Sequence, residues 1–394
     1  MTTRIHRLTL ALIWLLWMQV TPSVASAGVN QWTTGGPPGE AILSLAIDPA
    51  TPSTVYAGAE LGRLFQSIDS GASWQQLQTG FLTGVNALAI DPTAPSVIYA
   101  GTDSGLFTSP DGGASWHPTT VTDAVIDSLL IDPAVPGGLY AGIGGGGAQG
   151  GVLYSPDAGM TWTTVGTGLP DTIVNALAIT LDMPRTLYAA TDDGLFALPD
   201  GNDSWMPMST GLPQAAVYAL AIDPLDPRTL YAGTESGAFM STDGGASWSD
   251  AGLPSAVATL VIQGGGFGTL YAGTFGDGVF VNRGSLIWEP FNTGLSNGIV
   301  ATLALDPGPP ATLYAGTIGD GVFVQQLVPC LGDCDGSGIV SVDEILTMVN
   351  IATGDISIAV CPAADPLRSG MVSVAEVLGA VQNALSGCPA AVSR

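Results

Sequence analysis

The tripeptide Tyr-Ala-Gly, or once Tyr-Ala-Ala, begins at Tyr56, Tyr99, Tyr140, Tyr188, Tyr231, Tyr271 and Tyr314, at intervals of 40 to 48 residues. A series of tryptophans runs beside it, at Trp32, Trp74, Trp116, Trp162, Trp205, Trp248 and Trp288. Spacings of this size are those of four-stranded propeller blades. Each unit carries four short β-type runs between turn residues, as in "VNALAID", "SVIYAGT", "GLFTSP" and "SWHPTT" of the second copy, and helical periodicity is absent. The ends of the two series do not match: Trp32 has no tyrosine before it and Tyr314 no tryptophan after it. A ring satisfies both if "NQWTT" supplies the outer strand of the blade whose other strands end near "GVFVQQL". The expectation is a mainly β chain with a seven-bladed propeller over 28–328, closed by its own N-terminal strand so that no inner sheet edge stays open.

Between the third and fourth runs of successive units lies an octet: "SIDSGASW" (67–74), "SPDGGASW" (109–116), "SPDAGMTW" (155–162) and "STDGGASW" (241–248), with a worn copy "LPDGNDSW" (198–205). Each letter suits a hairpin reversal. The aspartate is expected to accept hydrogen bonds from amides two and three residues on, the fifth-position glycine accepts positive φ, and the tryptophan packs the hairpin on the sheet. These octets resemble the Asp-box, or BNR repeat, of sialidases, sortilins, xyloglucanases and photosystem II assembly factors. The resemblance implies that Asp69, Asp111, Asp157, Asp200 and Asp243 are fold elements of the blade periphery. Asp-Pro pairs after the first strand (Asp48, Asp91, Asp132, Asp223, Asp306) read as turns in the same way.

The first 27 residues read as a secretory signal: Arg4, His6 and Arg7, an apolar run from Leu8 to Val20, then small residues at Ala25 and Ala27. That run is short for a membrane span. The expected product is therefore exported, whether secreted, held at the cell surface or periplasmic. Once Arg4 and Arg7 are removed, six basic residues face 33 acidic ones, a formal charge of about −27, and the chain has no lysine. Nucleic acid and anionic lipid are excluded as partners, since both need clustered cations.

Propellers offer ligands the face opposite the octets, where the second-to-third-strand loops surround the channel. Six of those seven loops carry carboxylates: Glu60, Asp103, Asp192 with Asp193, Glu235, Asp277 and Asp320. They form a possible ligand rim, although each also sits in a small turn where Asp, Glu and Gly are favoured residues. Two of them suitably spaced could act on a glycosidic bond. A sialidase-type arginine triad cannot be assembled from Arg63, Arg185, Arg228 and Arg283. The glycine-rich "IGGGGAQGG" (143–151) lacks the lysine and helix of a phosphate loop, and a Ser-His-Asp triad lacks its histidine.

All four cysteines, Cys330, Cys334, Cys361 and Cys388, fall near the C-terminus, which predicts a small disulfide-bonded domain over 329–394 with three possible pairings. Within it "DCDGSGIVSVDE" (333–344) fits a calcium loop of the EF-hand type: Asp333, Asp335, Ser337, the Ile339 carbonyl, Ser341 and Glu344 at the ligand positions, with Gly338 at the turn. A second copy (365–376) keeps Asp365, Ser369, the Met371 carbonyl, Ser373 and Glu376. It places Leu367 where an oxygen is needed and adds Arg368, so it is a weak or vestigial metal loop. A helix is expected after each, near 342–352 and 374–385. Two loop-and-helix halves resemble a type I dockerin. The resemblance implies bound Ca2+ and attachment to a protein partner.

Together these features predict an exported, non-catalytic binding or scaffold protein whose propeller takes a glycan or protein ligand. The alternative is a glycoside hydrolase of the xyloglucanase kind using acidic rim residues. Nothing in the sequence sets the oligomeric state.

Overall fold

The computed structural model describes residues 28–29, 31–144, 151–264, 268–284, 287–308, 310–327, 331–334, 340–364 and 371–386. The leader segment, Cys330 and Cys388 lie outside them. So do Asp335, Ser337 and Ile339 of the first loop and Asp365 and Ser369 of the second. Among the described residues no helix is long and apolar enough to cross a membrane.

Among the described residues seven sheets follow one another along the chain: six are antiparallel up-and-down meanders, and the seventh also takes in Gly28–Val29, which pairs parallel with Gly321–Leu327. Blade 1 is built from Ile42–Ile47, Val55–Ala59, Leu64–Ser67 and Gln75–Leu77, and blades 2 to 6 repeat the order. In blade 7 the strands Val300–Asp306, Ala311–Thr317 and Gly321–Leu327 are joined by Thr33–Gly36, which pairs antiparallel with the last of them (Thr33 with Val324, Thr34 with Phe323). Each inner strand lies beside the next, and Val300–Asp306 lies beside Ile42–Ile47, so the ring is continuous.

The Tyr-Ala-Gly triplet accounts for how closely the blades pack. Its alanine is buried, and its glycine faces the inner strand of the following blade: a Cβ at Gly58, Gly101 or Gly142 would fall 2.7 Å from Val85, Ile126 or Val174. The same relation joins the last blade to the first, since a Cβ at Gly316 would meet Ile42 at 2.7 Å. A β-branched residue nests where the glycine leaves space, and the cores are accordingly shared between blades. One joins Tyr314, Val322 and Val324 of blade 7 to Ile42, Val55 and Phe65 of blade 1.

Tryptophans fasten the outer strands. In blades 4, 5 and 6 the indole N–H donates to a carbonyl of the preceding blade, Trp205 to Val165, Trp248 to Met208 and Trp288 to Ala251, each at 2.8 Å. Trp32 makes the equivalent bond to Phe291 at 2.6 Å. Trp162 instead donates to Gly159 of its own octet, and the indole nitrogens of Trp74 and Trp116 are buried without a hydrogen-bond partner among the described residues. The amides of Trp205, Trp248 and Trp32 donate in parallel to the carbonyls of Thr167, Thr210 and Thr293, each the first residue of a Thr-Gly-Leu segment. Trp32, 1% exposed, shares a core cluster with Phe323 of its own blade and Tyr271, Val279 and Val281 of blade 6.

In the octets the aspartate holds a wider turn than the sequence suggests. Asp111 accepts from the Ser115 amide four residues on (2.8 Å), from the Ser115 hydroxyl (2.6 Å) and from the Ser109 hydroxyl (2.9 Å), while Ser109 Oγ accepts from the Gly113 amide. The octets of Asp69, Asp157 and Asp243 repeat the pattern. The serine and the fifth-position glycine turn the chain so that the fourth following amide bonds the carboxylate, and the expected third amide, that of Ala114 at Asp111 and of Ala246 at Asp243, contributes as well. These bonds lower the carboxyl pKa, with the Ser247 hydroxyl the largest cause at Asp243, which falls to about 2. The Asp-Pro turns form as expected, Asp48 Oδ1 for example accepting from the amides of Ala50 and Thr51.

Near the C-terminus α1 (Val342–Thr353) and α2 (Val374–Ser386) pack over Val340, Met348, Ile351, Val372 and Ala380. Of the three pairings left open, the described one is Cys334–Cys361. Each helix begins with a reciprocal cap: Ser341 with Glu344, Ser373 with Glu376.

Candidate functional site

The inner strands of all seven blades line a central channel of about 270 Å³. Its mouth is set by two positions per blade that lie 17 residues apart in sequence: the second residue of the inner strand and a residue of the second-to-third-strand loop. From blade 1 to blade 7 the pairs are Leu43 and Glu60, Asn86 and Asp103, Asp127 and Gly144, Asn175 and Asp192, Tyr218 and Glu235, Ala258 and Phe275, and Ala301 and Ile318.

In blades 2, 4, 5, 6 and 7 the loops are held by threonine. Thr102, Thr191 and Thr234 are fully buried; each hydroxyl donates to the glycine carbonyl three residues on, at 2.8 to 3.0 Å, and accepts the amide two residues on. In the longer loops of blades 6 and 7, Thr274 and Thr317 donate to the glycine carbonyl four residues on, Gly278 and Gly321. Turn chemistry therefore does not account for the acidic side chains. Asp103 Oδ1 instead accepts from Asn86 Nδ2 at 2.7 Å and Asp192 Oδ1 from Asn175 Nδ2 at 2.9 Å, both on the inner strand of the same blade. Glu60, Asp103, Asp192, Asp193, Glu235, Asp277 and Asp320 are all exposed, and Asp320 accepts from the Ser296 hydroxyl.

Asp127 was not among the residues expected at the mouth. Blade 3 inverts the pattern of its neighbours, with aspartate on the inner strand and glycine in the loop. Asn86 Nδ2 spans from Asp103 to Asp127 Oδ1 (3.4 Å), so one amide bridges two carboxylates. Burial, then the charges of Asp103 and Asp192, push the Asp127 carboxyl up to about 6. Next to this sector Tyr218 meets Phe275 edge to face, ring centroids 5.2 Å apart. Among the described residues the arginine nearest this face, Arg63, is tied to Glu40 at 2.7 Å. Arg185 pairs with Asp132 on the octet face, where no inward arginine cluster forms.

In the C-terminal module Asp333 and Glu344 are both buried, at 6% and 7% exposure. Glu344 Oε1 accepts from the Cys334 amide and Oε2 from the Ser341 amide, each at 2.7 Å, which draws the two ends of the first loop together. A carboxylate oxygen takes more than one partner, so a hard cation on this pair fits the donor chemistry. Among the described residues alone no group of three metal-ligating side chains occurs. The apolar residues of α1 and α2 divide into two faces. Ile345, Met348 and Val377 pack inward, whereas Val342, Leu346 and Val349, and likewise Val374, Leu378 and Leu385, lie on the surface.

No family model matches the chain, and no curated protein matches it. Solved structures do. A GH74 enzyme of Niastella koreensis aligns at 18% identity and TM-score 0.55, over 76% of this chain and 59% of that one. The extracellular domain of a one component system of B. thetaiotaomicron aligns at 18% and 0.59, over 76% and 40%. YCF48 bound to D1 peptide aligns at 12% and 0.60, over 77% and 99%. The chain thus spans well under two thirds of the first two. At these identities the likeness shows a propeller fold, shared by proteins with different tasks.

Proposed function

We propose that this chain is an exported binding protein with two recognition surfaces: the channel face of the propeller for a glycan or protein, and the C-terminal helix pair for a protein partner. The observation that carries the reading is the duplicated apolar stripe, Val342, Leu346 and Val349 on α1 and Val374, Leu378 and Leu385 on α2, exposed although each helix has an inward face of its own. The dockerin resemblance makes the expected occupant a cohesin-like domain. We also propose that Thr33–Gly36 acts as the clasp of the ring, and that Asp333, Asp335, Ser337, the Ile339 carbonyl, Ser341 and Glu344 hold Ca2+, with the second loop much weaker. Calcium would stabilise the loop that orients α1.

Two measurements test this. Leu346→Asp with Leu378→Asp should abolish binding to a panel of cohesin domains in calorimetry while leaving the propeller melt intact; undiminished binding contradicts the docking surface. Chelator should lower the melting temperature of the C-terminal module alone, and an unchanged melt with and without calcium speaks against the metal.

A hydrolase reading draws support from one feature, the elevated carboxyl of Asp127 beside Asp103, a possible acid and base. Reducing-sugar release from soluble xyloglucan, lost in Asp127→Asn, would establish it. Retention of polysaccharide without release favours the binding reading.

A further inference from the structure

The channel mouth is divided into two sectors. At the paired positions blades 2 to 5 contribute Asn86, Asp103, Asp127, Asn175, Asp192, Tyr218 and Glu235, whereas blades 6, 7 and 1 contribute Ala258, Phe275, Ala301, Ile318 and Leu43 with a single acid, Glu60; Asp277 and Asp320 lie two residues further along their loops. Ile299, 40% exposed, pairs with Phe275, 47% exposed, and so widens the apolar sector. Tyr218 and Phe275 meet where the sectors join. The repeat would allow seven identical pairs, and in the five blades with a threonine the loop turns close through threonine and glycine, so the fold does not require this division.

Resting on the reading of this face as a ligand surface, we infer that the channel mouth binds a polypeptide segment in which an arginine or lysine lies beside an aliphatic or aromatic residue. The basic group meets the carboxylates of blades 2 to 4, and its apolar neighbour rests on Phe275, Ile299 and Ile318. Charge complementarity selects the cation: the mouth holds several carboxylates, and the nearest arginine is already spent on Glu40. A small metal ion suits the site less, because the Asn86 amide occupies the space between Asp103 and Asp127. A guanidinium donates across a plane and reaches the outer oxygens of both. A neutral sugar would leave the aliphatic half of the rim without use, whereas the aromatic pair offers a face to a cation and a surface to an apolar chain. The acidic groups facing Asp127 are Asp103 from blade 2 and Asp192 from blade 4. Asp127 ionises as the pH rises through about 6, so affinity should increase over that range.

The test is fluorescence anisotropy on the full chain with a labelled peptide Gly-Arg-Trp-Arg-Leu-Gly, a glutamate analogue in place of the arginines, and a serine analogue in place of the apolar residues. Binding of the first, with each analogue weaker by about tenfold or more, is expected, as are losses of similar size in Asp127→Asn and in Phe275→Ser. Circular dichroism and melting of both variants confirm folding, and a peptide bound equally by both folded variants overturns the inference. So does failure of the basic peptide to bind, or equal binding of the glutamate analogue. A glycan array run in parallel separates the two levels: glycan binding lost in Phe275→Ser with no peptide binding overturns this inference alone, whereas no ligand of either kind also contradicts the binding face.

Discussion

Both faces of the propeller carry rows of aspartates, and they use them differently. On the octet face a carboxylate is saturated by partners two and four residues away in its own hairpin, as at Asp111 with Ser109 and Ser115. At the channel mouth Asp103 and Asp192 find their partners 17 residues away, on another strand, while the loop that carries them is held by a threonine. A carboxylate with only local partners is explained by its turn. One whose turn closes without it needs another explanation, and here its location at a divided channel mouth supplies one.

If the octet face and its tryptophans bear the stability, the largest loss should come from Trp32→Ala. It removes a side chain 1% exposed and the bond to Phe291, at a cost of about 3–5 kcal/mol in denaturant unfolding. A loss below about 1 kcal/mol would mean that the N-terminal strand is not a clasp. On the channel face the threonine should matter and the acid should not. Thr234→Val leaves the Gly237 carbonyl without its donor and should cost about 1–2 kcal/mol. Asp127→Asn should instead stabilise the protein at pH 8, by about 1 kcal/mol once the rise of its pKa to about 6 is discounted for solvent contact. Because that pKa is raised in the fold, the advantage of the wild-type carboxyl is complete below about 4 and lost as the pH climbs through 6. The smallest effect is that of Glu235→Gln, within about 0.5 kcal/mol of zero, because the threonine makes the turn bonds.

Much of this organisation could be read in the sequence because a propeller repeats its packing every blade. The Tyr-Ala-Gly glycine, the tryptophan and the octet recur since each blade presents the same surface to the next; from the mismatch of Trp32 with Tyr314 a closing N-terminal strand is expected, and Thr33–Gly36 pairs beside Phe323, its action as a clasp remaining a proposal. Asp127 escaped because "IDSLLID" reads as one more half-buried strand. The 17-residue offset that pairs it with Gly144 means something only when inner strand and loop are known to meet at the channel. The helices run to within a residue or so of the expected bounds, but the spacing of their apolar residues does not say which of them are buried. Val342 and Leu346 are exposed and Met348 is buried, which only the packing of α1 on α2 decides.

The most direct test of the contrast is a pair of thermal melts at pH 8, Asp243→Asn against Asp127→Asn. Asp243, held near 2 chiefly by the Ser247 hydroxyl, contributes stability at every pH above about 4 and loses it as the pH falls toward 2. The account predicts a lower melting temperature for Asp243→Asn and a higher one for Asp127→Asn. Melting temperatures lowered by both substitutions would make Asp127 a structural residue like those of the octets and contradict the division between the two faces.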